Sequence, residues 1–259
     1  MQYEFLNCDI ENKVALVTIN RPPVNPLSSG VFQELNQLIG ELEDDNAVRA
    51  IVITGSGSKA FVAGADVKEM ASKDLTGLNQ MNKKARETFS KLENISKPVI
   101  AAINGLALGG GFELALVCDL RICSDKAKFS FPEVGLGIIP GGGGTQRLQK
   151  IVGQGIAKEL IYFGEMVDAE RALKLQLVNH VVPHEMLIDE ALAWAEKLAS
   201  SSAVALQMAK LAINQGCNVD TESGLIIETT AFASAFMSED GKEGIAAFTE
   251  KRKPVFIGK

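Results

Sequence analysis

The sequence predicts an α/β fold built on a mainly parallel sheet. Three observations carry this. Short β-rich apolar runs alternate with amphipathic helical stretches through the first half of the chain, the pattern of βαβ units with right-handed crossovers. The run at 48–54 is continuous enough in apolar content to be a strand covered on both faces, and 98–103 is another β-rich apolar run. After residue 155 the chain is dominated by helical patterns, which predicts a helical layer added to the sheet.

Taken in order, residues 13–20, KVALVTIN, are dense in Val, Ile and Thr and read as a strand. Residues 21–26, RPPVNP, form a rigid loop, because proline fixes φ and removes donors. Ser28 or Ser29 caps a helix running to about Asp44, with Val31, Phe32, Leu35, Leu38, Ile39 and Leu42 on one face. A second strand spans 48–54 and a turn follows at 55–58. Ala63-Gly64-Ala65 is small and flexible, and Asp66 begins a polar helical run. Residues 72–79 read as a mobile loop and 80–94 as a helix. The next strand, 98–103, ends at the turn pair Asn104-Gly105; further strand candidates are 118–123 and 128–131.

The second glycine run, 141–144, leads to Thr145, an expected N-cap for the helix TQRLQKIV. Helices are then expected at 156–163, at 169–175 capped by Asp168, after Pro183 through Trp194, at 203–215 and at 220–237, with a short strand at 178–182. The 220–237 segment is apolar around its whole circumference, which requires a cover, and a partner subunit is the expected one.

Composition narrows the function. The chain has 259 residues, enough for one large domain or one domain with a small appendage, and its 46% hydrophobic and 22% charged content is that of a globular protein. A net charge of −6 without a basic run argues against nucleic acid as the main ligand. The four cysteines, Cys8, Cys118, Cys123 and Cys217, lack metal-ligand spacing and are expected to be reduced thiols in a cytoplasmic protein. His180 and His184 straddle a strand end and Pro183, so no shared metal is expected. No signal sequence or membrane span is expected. The short basic tail after residue 250 reads as a solvated end that could meet a phosphate.

The chemistry concentrates between residues 98 and 143. Gly109-Gly110-Gly111 precedes FELAL, the first turns of a buried helix, whose opening carries unpartnered amides and the positive end of the dipole. Glu113 sits inside that helix among Phe112, Leu114, Ala115 and Leu116, so it is expected to be poorly solvated. Glu133 follows the short strand at 128–131 and Pro132. The Ala63–Asp66 stretch offers a second set of exposed amides. Backbone donors that hold a negative oxygen, with two carboxylates to move protons, is the arrangement these residues permit. A glycine triplet can also serve only to let a helix cross a strand closely. The P-loop lysine is missing from the second glycine run and no G-x-G-x-x-G follows a strand, which argues against nucleotide phosphate and dinucleotide sites.

Asn20-Arg21-Pro22, the 61–66 segment FVAGAD, the 102–114 segment AINGLALGGGFEL and the 131–147 segment FPEVGLGIIPGGGGTQR together resemble the enoyl-CoA hydratase/isomerase (crotonase) family over nearly the whole chain. The resemblance implies the α/β crotonase (ClpP-like) spiral of ββα units over 1–200 and a helical C-terminal trimerisation region over 201–259. It implies an acyl-CoA thioester substrate, no cofactor beyond that coenzyme A, and a homotrimer or homohexamer. Ala65 and Gly110 would donate their amides to the thioester oxygen. Glu113 would position and deprotonate water, Glu133 would contact that water and deliver a proton to Cα, and Gly141 would help seat it. Substrate contacts are implied at Val24, Leu27, Ala63, Asp66, Val67, Lys68, Gly109, Pro140 and Gly141, with Lys251 or Lys253, of the same or a neighbouring subunit, near a phosphate. Pro26 departs from the family's common Asn-Ala-Leu and stiffens the loop; Phe112, beside Glu113, stands where small or polar residues also occur and bears on acyl-pocket shape. The run IIPGGGGTQRL with AKELI also resembles the branched methylglutaconyl-CoA hydratases. An isomerase of the same fold, or a CoA- or RNA-binding scaffold, is the rival to trans-2-enoyl-CoA hydration.

Overall fold

The computed structural model describes residues 3–259. Among the described residues ten strands form two sheets, not the one expected. The strands are β1 (Leu6–Glu11), β2 (Val14–Ile19), β3 (Ala50–Gly55), β4 (Ala60–Ala63), β5 (Val99–Ile103), β6 (Leu106–Leu108), β7 (Leu120–Ser124), β8 (Lys128–Ser130), β9 (Val167–Asp168) and β10 (His180–Val182). The larger sheet has the order β1-β2-β3-β5-β7-β10 and the smaller β4-β6-β8-β9. All neighbours are parallel except β1 with β2 and β8 with β9.

The helices are α1 (Ser29–Asp44), α2 (Val67–Ala71), α3 (Leu75–Asn94), α4 (Gly110–Val117), α5 (Gly144–Phe163), α6 (Ala169–Lys174), α7 (Leu187–Ala199), α8 (Ala203–Gly216), α9 (Thr221–Met237) and α10 (Glu239–Thr249). Successive strand pairs split between the sheets: β3, β5 and β7 join the large one, and β4, β6 and β8 the small one. Each pair then leads into a helix, giving the ββα repeat. The corners depend on residues that pack without bulk. Asn104 donates from Nδ2 to the carbonyls of Gly55 and Gly57, and a Cβ on Gly105 would stand 2.5 Å from the Lys59 carbonyl.

Side-chain alternation sorts the large sheet into two cores. Val14, Ala50, Val52, Ile100, Ala102 and Ile122 face Leu187, Ala191 and Ala195 of α7. Ile51, Ile53, Val99, Ala101 and Ile103 face the main core, which includes the expected apolar face of α1. Ser28 is the cap of α1, accepting from the Val31 amide.

Several expectations change. The loop expected at 72–79 is mostly helix: α3 begins at Leu75, and Asp74 caps it by accepting from the Gly77 amide. Thr145 is not a cap; it lies inside α5, whose N-cap is Gly143 at φ +112°. A break at Gly153 (φ +78°) separates the two helices expected there, which run together as α5. β1, β4, β6 and α10 were not expected. The four cysteines are free thiols. Among the described residues no helix is long and apolar enough to cross a membrane, and no cluster of His, Cys, Asp or Glu could hold a metal. His180 stacks on Trp194, while His184 meets Ser124 through Nδ1 at 3.1 Å.

Candidate active site

The small sheet and the helices that leave it place the candidate residues. β4 ends at Ala63, one residue short of Gly64-Ala65, and Asp66 caps α2 by accepting from the Glu69 amide. Leu27 runs beside this segment: its amide donates to Gly64 O at 2.9 Å and its carbonyl accepts from Asp66 N at 2.8 Å. A parallel bridge of that register turns the Ala65 N–H away from Leu27.

On the neighbouring strand, β6 ends at Leu108, and Gly109 donates to Ser130 O before α4 starts. Gly110 is the first residue of α4, where the amide has no intrahelical acceptor. A Cβ on Gly110 would stand 3.7 Å from the Ala65 nitrogen and 3.4 Å from Leu27 Cδ1. The two donor segments are therefore neighbours in space, 45 residues apart in sequence. Among the described residues, no backbone hydrogen bond outside the helices and strands engages the Ala65 or the Gly110 amide.

The glycine triplet divides its work. Gly111 serves packing, because a Cβ there would run into the Val62 backbone of β4. Gly109, at φ +48°, leaves room for Glu133, whose Oε1 would stand 2.6 Å from an added Cβ. Gly110 keeps the space beside Ala65 open.

Glu113 is 3% exposed. Its Oε1 accepts from Gly142 N at 2.7 Å and Gly144 N at 2.8 Å, so the second glycine loop and the N-terminus of α5 clamp the carboxylate. Burial raises its pKa, against the lowering pull of those amides and of the Arg147 charge.

Glu133 lies in the 3-10 turn Pro132–Leu136. Its Oε2 is buried without a hydrogen-bond partner among the described residues. Burial, with a further push from the Glu113 charge, raises its pKa to about 7. The two carboxyls thus sit in different environments, one clamped by two amides and the other buried without a partner, and burial pushes the pKa of both upward.

Other expected residues fall as follows. Ala63 N donates to Val24 O at 2.9 Å, which ties the proline loop to β4. Asp66 forms an ion pair with Arg21 at 2.7 Å, whose Nη1 also reaches Pro26 O. Hydrogen bonding from Arg21 holds the Asp66 carboxyl below its ordinary range. Val67 and Lys68 are exposed, Pro140 is buried beside Gly144, and Gly141 is exposed. Lys251 is exposed after α10, a helix that packs against α8 and α9. Phe112 shapes no open pocket: it stacks on Phe131 with centroids 4.7 Å apart and is 1% exposed.

Three contributors escaped the sequence reading. Asn25, fully buried at φ +54°, donates to the carbonyls of Ser56, Ala60 and Phe61 and accepts from Arg21 N. Gly142 and Gly144 grip Glu113 through their amides. Their signal was the four-glycine run itself, but nothing local shows which amides point inward. Two cavities lie elsewhere, one between β1 and α1 beside Cys8 and Leu38, the other under Ile257–Lys259; neither is lined by the carboxylates.

The profile of the enoyl-CoA hydratase/isomerase family matches residues 9–259. This chain belongs to that family. Among its relatives, the short-chain-enoyl-CoA hydratase of Clostridium acetobutylicum is 47% identical over 94% of each chain. The crotonyl-CoA hydratase of Syntrophomonas wolfei is 44% identical over 100% of both. The crystal structure of an enoyl-CoA hydratase from Bacillus anthracis superposes with a TM-score of 0.95 at 40% identity, covering 99% of this chain and 100% of that one. The two-sheet ββα architecture with C-terminal helices is thus the fold of the enoyl-CoA hydratase/isomerase family, as the motifs implied.

Proposed function

We propose that this protein is a hydro-lyase that adds water across the trans-2 double bond of an enoyl-CoA thioester. One observation carries the reading. The free-facing amides of Ala65 and Gly110 lie side by side, and an amide-clamped carboxylate and an unpartnered one accompany them. The names of the relatives support the same reaction.

The chemistry follows from the groups. The thioester oxygen accepts from the Ala65 and Gly110 amides. As the water oxygen bonds to Cβ, electron density moves through Cα to the thioester oxygen and an enolate forms. Fixed donors there stabilise the developing charge, and removal of one such donor typically costs ~3–4 kcal/mol. Glu113 takes the proton from the attacking water. Glu133, protonated near neutrality, gives its proton to Cα as the enolate collapses. The water's hydroxyl stays on Cβ and the proton from Glu133 on Cα; Glu113 then holds the water's other proton and Glu133 is ionised, and exchange with solvent resets the pair.

The coenzyme A would lie across Val24, Leu27 and the Ala63–Lys68 segment, with Gly109, Pro140 and Gly141 lining the reacting end and Lys251 meeting a phosphate. The Arg21–Asp66 pair fastens this shelf in place. No cofactor beyond the substrate's own coenzyme A is required. We read the assembly as a homotrimer, with a hexamer as its stacked form. The support is α9, of which Ala231 is the buried residue while Leu225, Ile226, Phe232, Phe236 and Met237 are exposed.

The test is incubation with crotonyl-CoA, following loss of the conjugated thioester absorbance and identifying a 3-hydroxyacyl product. A panel of straight and branched enoyl-CoAs sets chain length and tests the methylglutaconyl alternative. A shifted double bond without a hydroxyl would make the protein an isomerase; inactivity on the whole panel would reject the reading.

A further inference from the structure

The loop that clamps Glu113 is four glycines long, Gly141–Gly144. Glycine loses more conformational freedom on ordering than any other residue and offers no side chain to pack. Such a loop is held by its backbone bonds. One anchor is Glu113 itself, which accepts from Gly142 N and Gly144 N. That anchor changes strength during turnover under the reading above, because a carboxylate that has taken a proton is a weaker acceptor.

A second anchor does not change. Arg147, one turn into α5, donates from Nη1 to the Gly142 carbonyl at 3.1 Å. Gly142 is therefore gripped at both polar atoms, the nitrogen by Glu113 and the oxygen by Arg147. The guanidinium is itself fixed: Nε donates to Glu93 Oε1 at 2.9 Å and Nη2 to Glu93 Oε2 at 2.7 Å, a bidentate pair with side chains 18% and 32% exposed. Glu93 belongs to α3, and Phe89 one turn earlier closes the same loop from the other side: a Cβ on Gly142 would stand 2.8 Å from Phe89 Cε2. Asn214 of α8 donates to the Glu93 carbonyl at 3.1 Å, which ties the end of α3 to the C-terminal helices.

We propose that Arg147, braced by Glu93, is a positioning residue for Glu113: it pins the Gly142 carbonyl so that the Gly142 and Gly144 amides stay aimed at the carboxylate through its protonation cycle. The proposal rests on Glu113 as the base. An exposed ion pair contributes little; this one is half-buried, bidentate and bonded to the backbone that holds the reacting group. Three charged groups bear on Glu113 from the elements around it: Glu133 from the 3-10 turn, Arg147 from α5 and, behind Arg147, Glu93 from α3.

The experiment compares the parent chain with Arg147→Met, Arg147→Lys and Glu93→Gln in two measurements. The first is amide hydrogen exchange of the 140–147 segment, which needs no substrate. The second is the pH profile of kcat and KM for crotonyl-CoA, per folded site. For Arg147→Met we expect faster exchange confined to that segment, a kcat lower by about 100-fold, as for a misplacement of about 1 Å, and a KM within about threefold. Loss of the positive charge moves the acid limb of the kcat profile to higher pH. Arg147→Lys, which keeps the charge and one donor, recovers part of kcat, and Glu93→Gln gives a smaller loss. If Arg147→Met does not fold, Glu93→Gln decides by exchange and kcat alone, because it leaves the Arg147 charge in place. Unchanged exchange, or faster exchange with kcat and the acid limb unchanged, overturns the proposal. If the parent chain does not hydrate any enoyl-CoA, the functional reading fails, and exchange alone decides whether Arg147 anchors the loop.

Discussion

Replacing Glu133 by Gln should make this protein more stable above neutral pH while it destroys hydration. Glu133 Oε2 is buried without a partner, and the carboxyl's pKa rises from 4.5 to about 7. The sign is fixed by proton counting. Between pH 4.5 and 7 the unfolded chain has lost this proton and the native chain keeps it, so stability falls as pH rises, and the loss is complete above pH 7. The rise from 4.5 to about 7, at ~1.36 kcal/mol per pH unit, gives an upper figure of ~3.4 kcal/mol. The side chain is partly exposed, and the Gln amide inherits the same partnerless site, so the expected gain is ~1–2 kcal/mol. The assay is urea denaturation of both proteins at pH 5 and pH 8 and one protein concentration, so that association is held constant. The two should unfold nearly together at pH 5, and the Gln variant should be the more stable at pH 8. A Gln variant that is less stable at pH 8, or a difference that does not change with pH, would refute the picture of a strained, proton-holding carboxyl.

The same geometry makes two further claims. Gly142→Ala puts a methyl 2.5 Å from Glu113 Oε2 and 2.8 Å from Phe89, so kcat should fall about 100-fold; Gly135→Ala, with nothing within 4 Å, is the control and should keep its activity. Phe232→Ser with Phe236→Ser removes two rings that touch at 5.9 Å and are 67% and 49% exposed, and sedimentation velocity should then show a smaller species than the parent; an unchanged mass removes α9 from the interface.

Local signals were strong where burial and capping agreed. Ser28 and the spacing of Val31, Leu35, Leu38 and Leu42 mark α1, and the four buried residues Ala50, Ile51, Val52 and Ile53 of β3 form a continuous apolar run. They failed where an element was short or its cap ambiguous. β4 and β6 are four and three residues long, too short for a period to emerge. β1 is polar and largely exposed at the sheet edge, and it turns into β2 through Asn12 and Lys13, both at positive φ. Gly77 and the mixed charge around it disguised the start of α3, although Asp74 is an ordinary cap. In the site, both carboxylates and both donor segments were visible as residues in motifs. The hold of Gly142 and Gly144 on Glu113, 29 and 31 residues away, was not. Nor was the Glu93–Arg147 brace across 54 residues, because side-chain pairing at that range is decided by the fold.

The most direct test of the account is the carbonyl stretch of crotonyl-CoA labelled with carbon-13 at the thioester carbon, bound to a Glu113→Gln, Glu133→Gln double variant that retains the Ala65 and Gly110 amides. Two converging donors should polarise the carbonyl and move its infrared band to lower frequency than in water. A band at its aqueous position, with the ligand bound, would contradict the claim that these two amides converge on one oxygen.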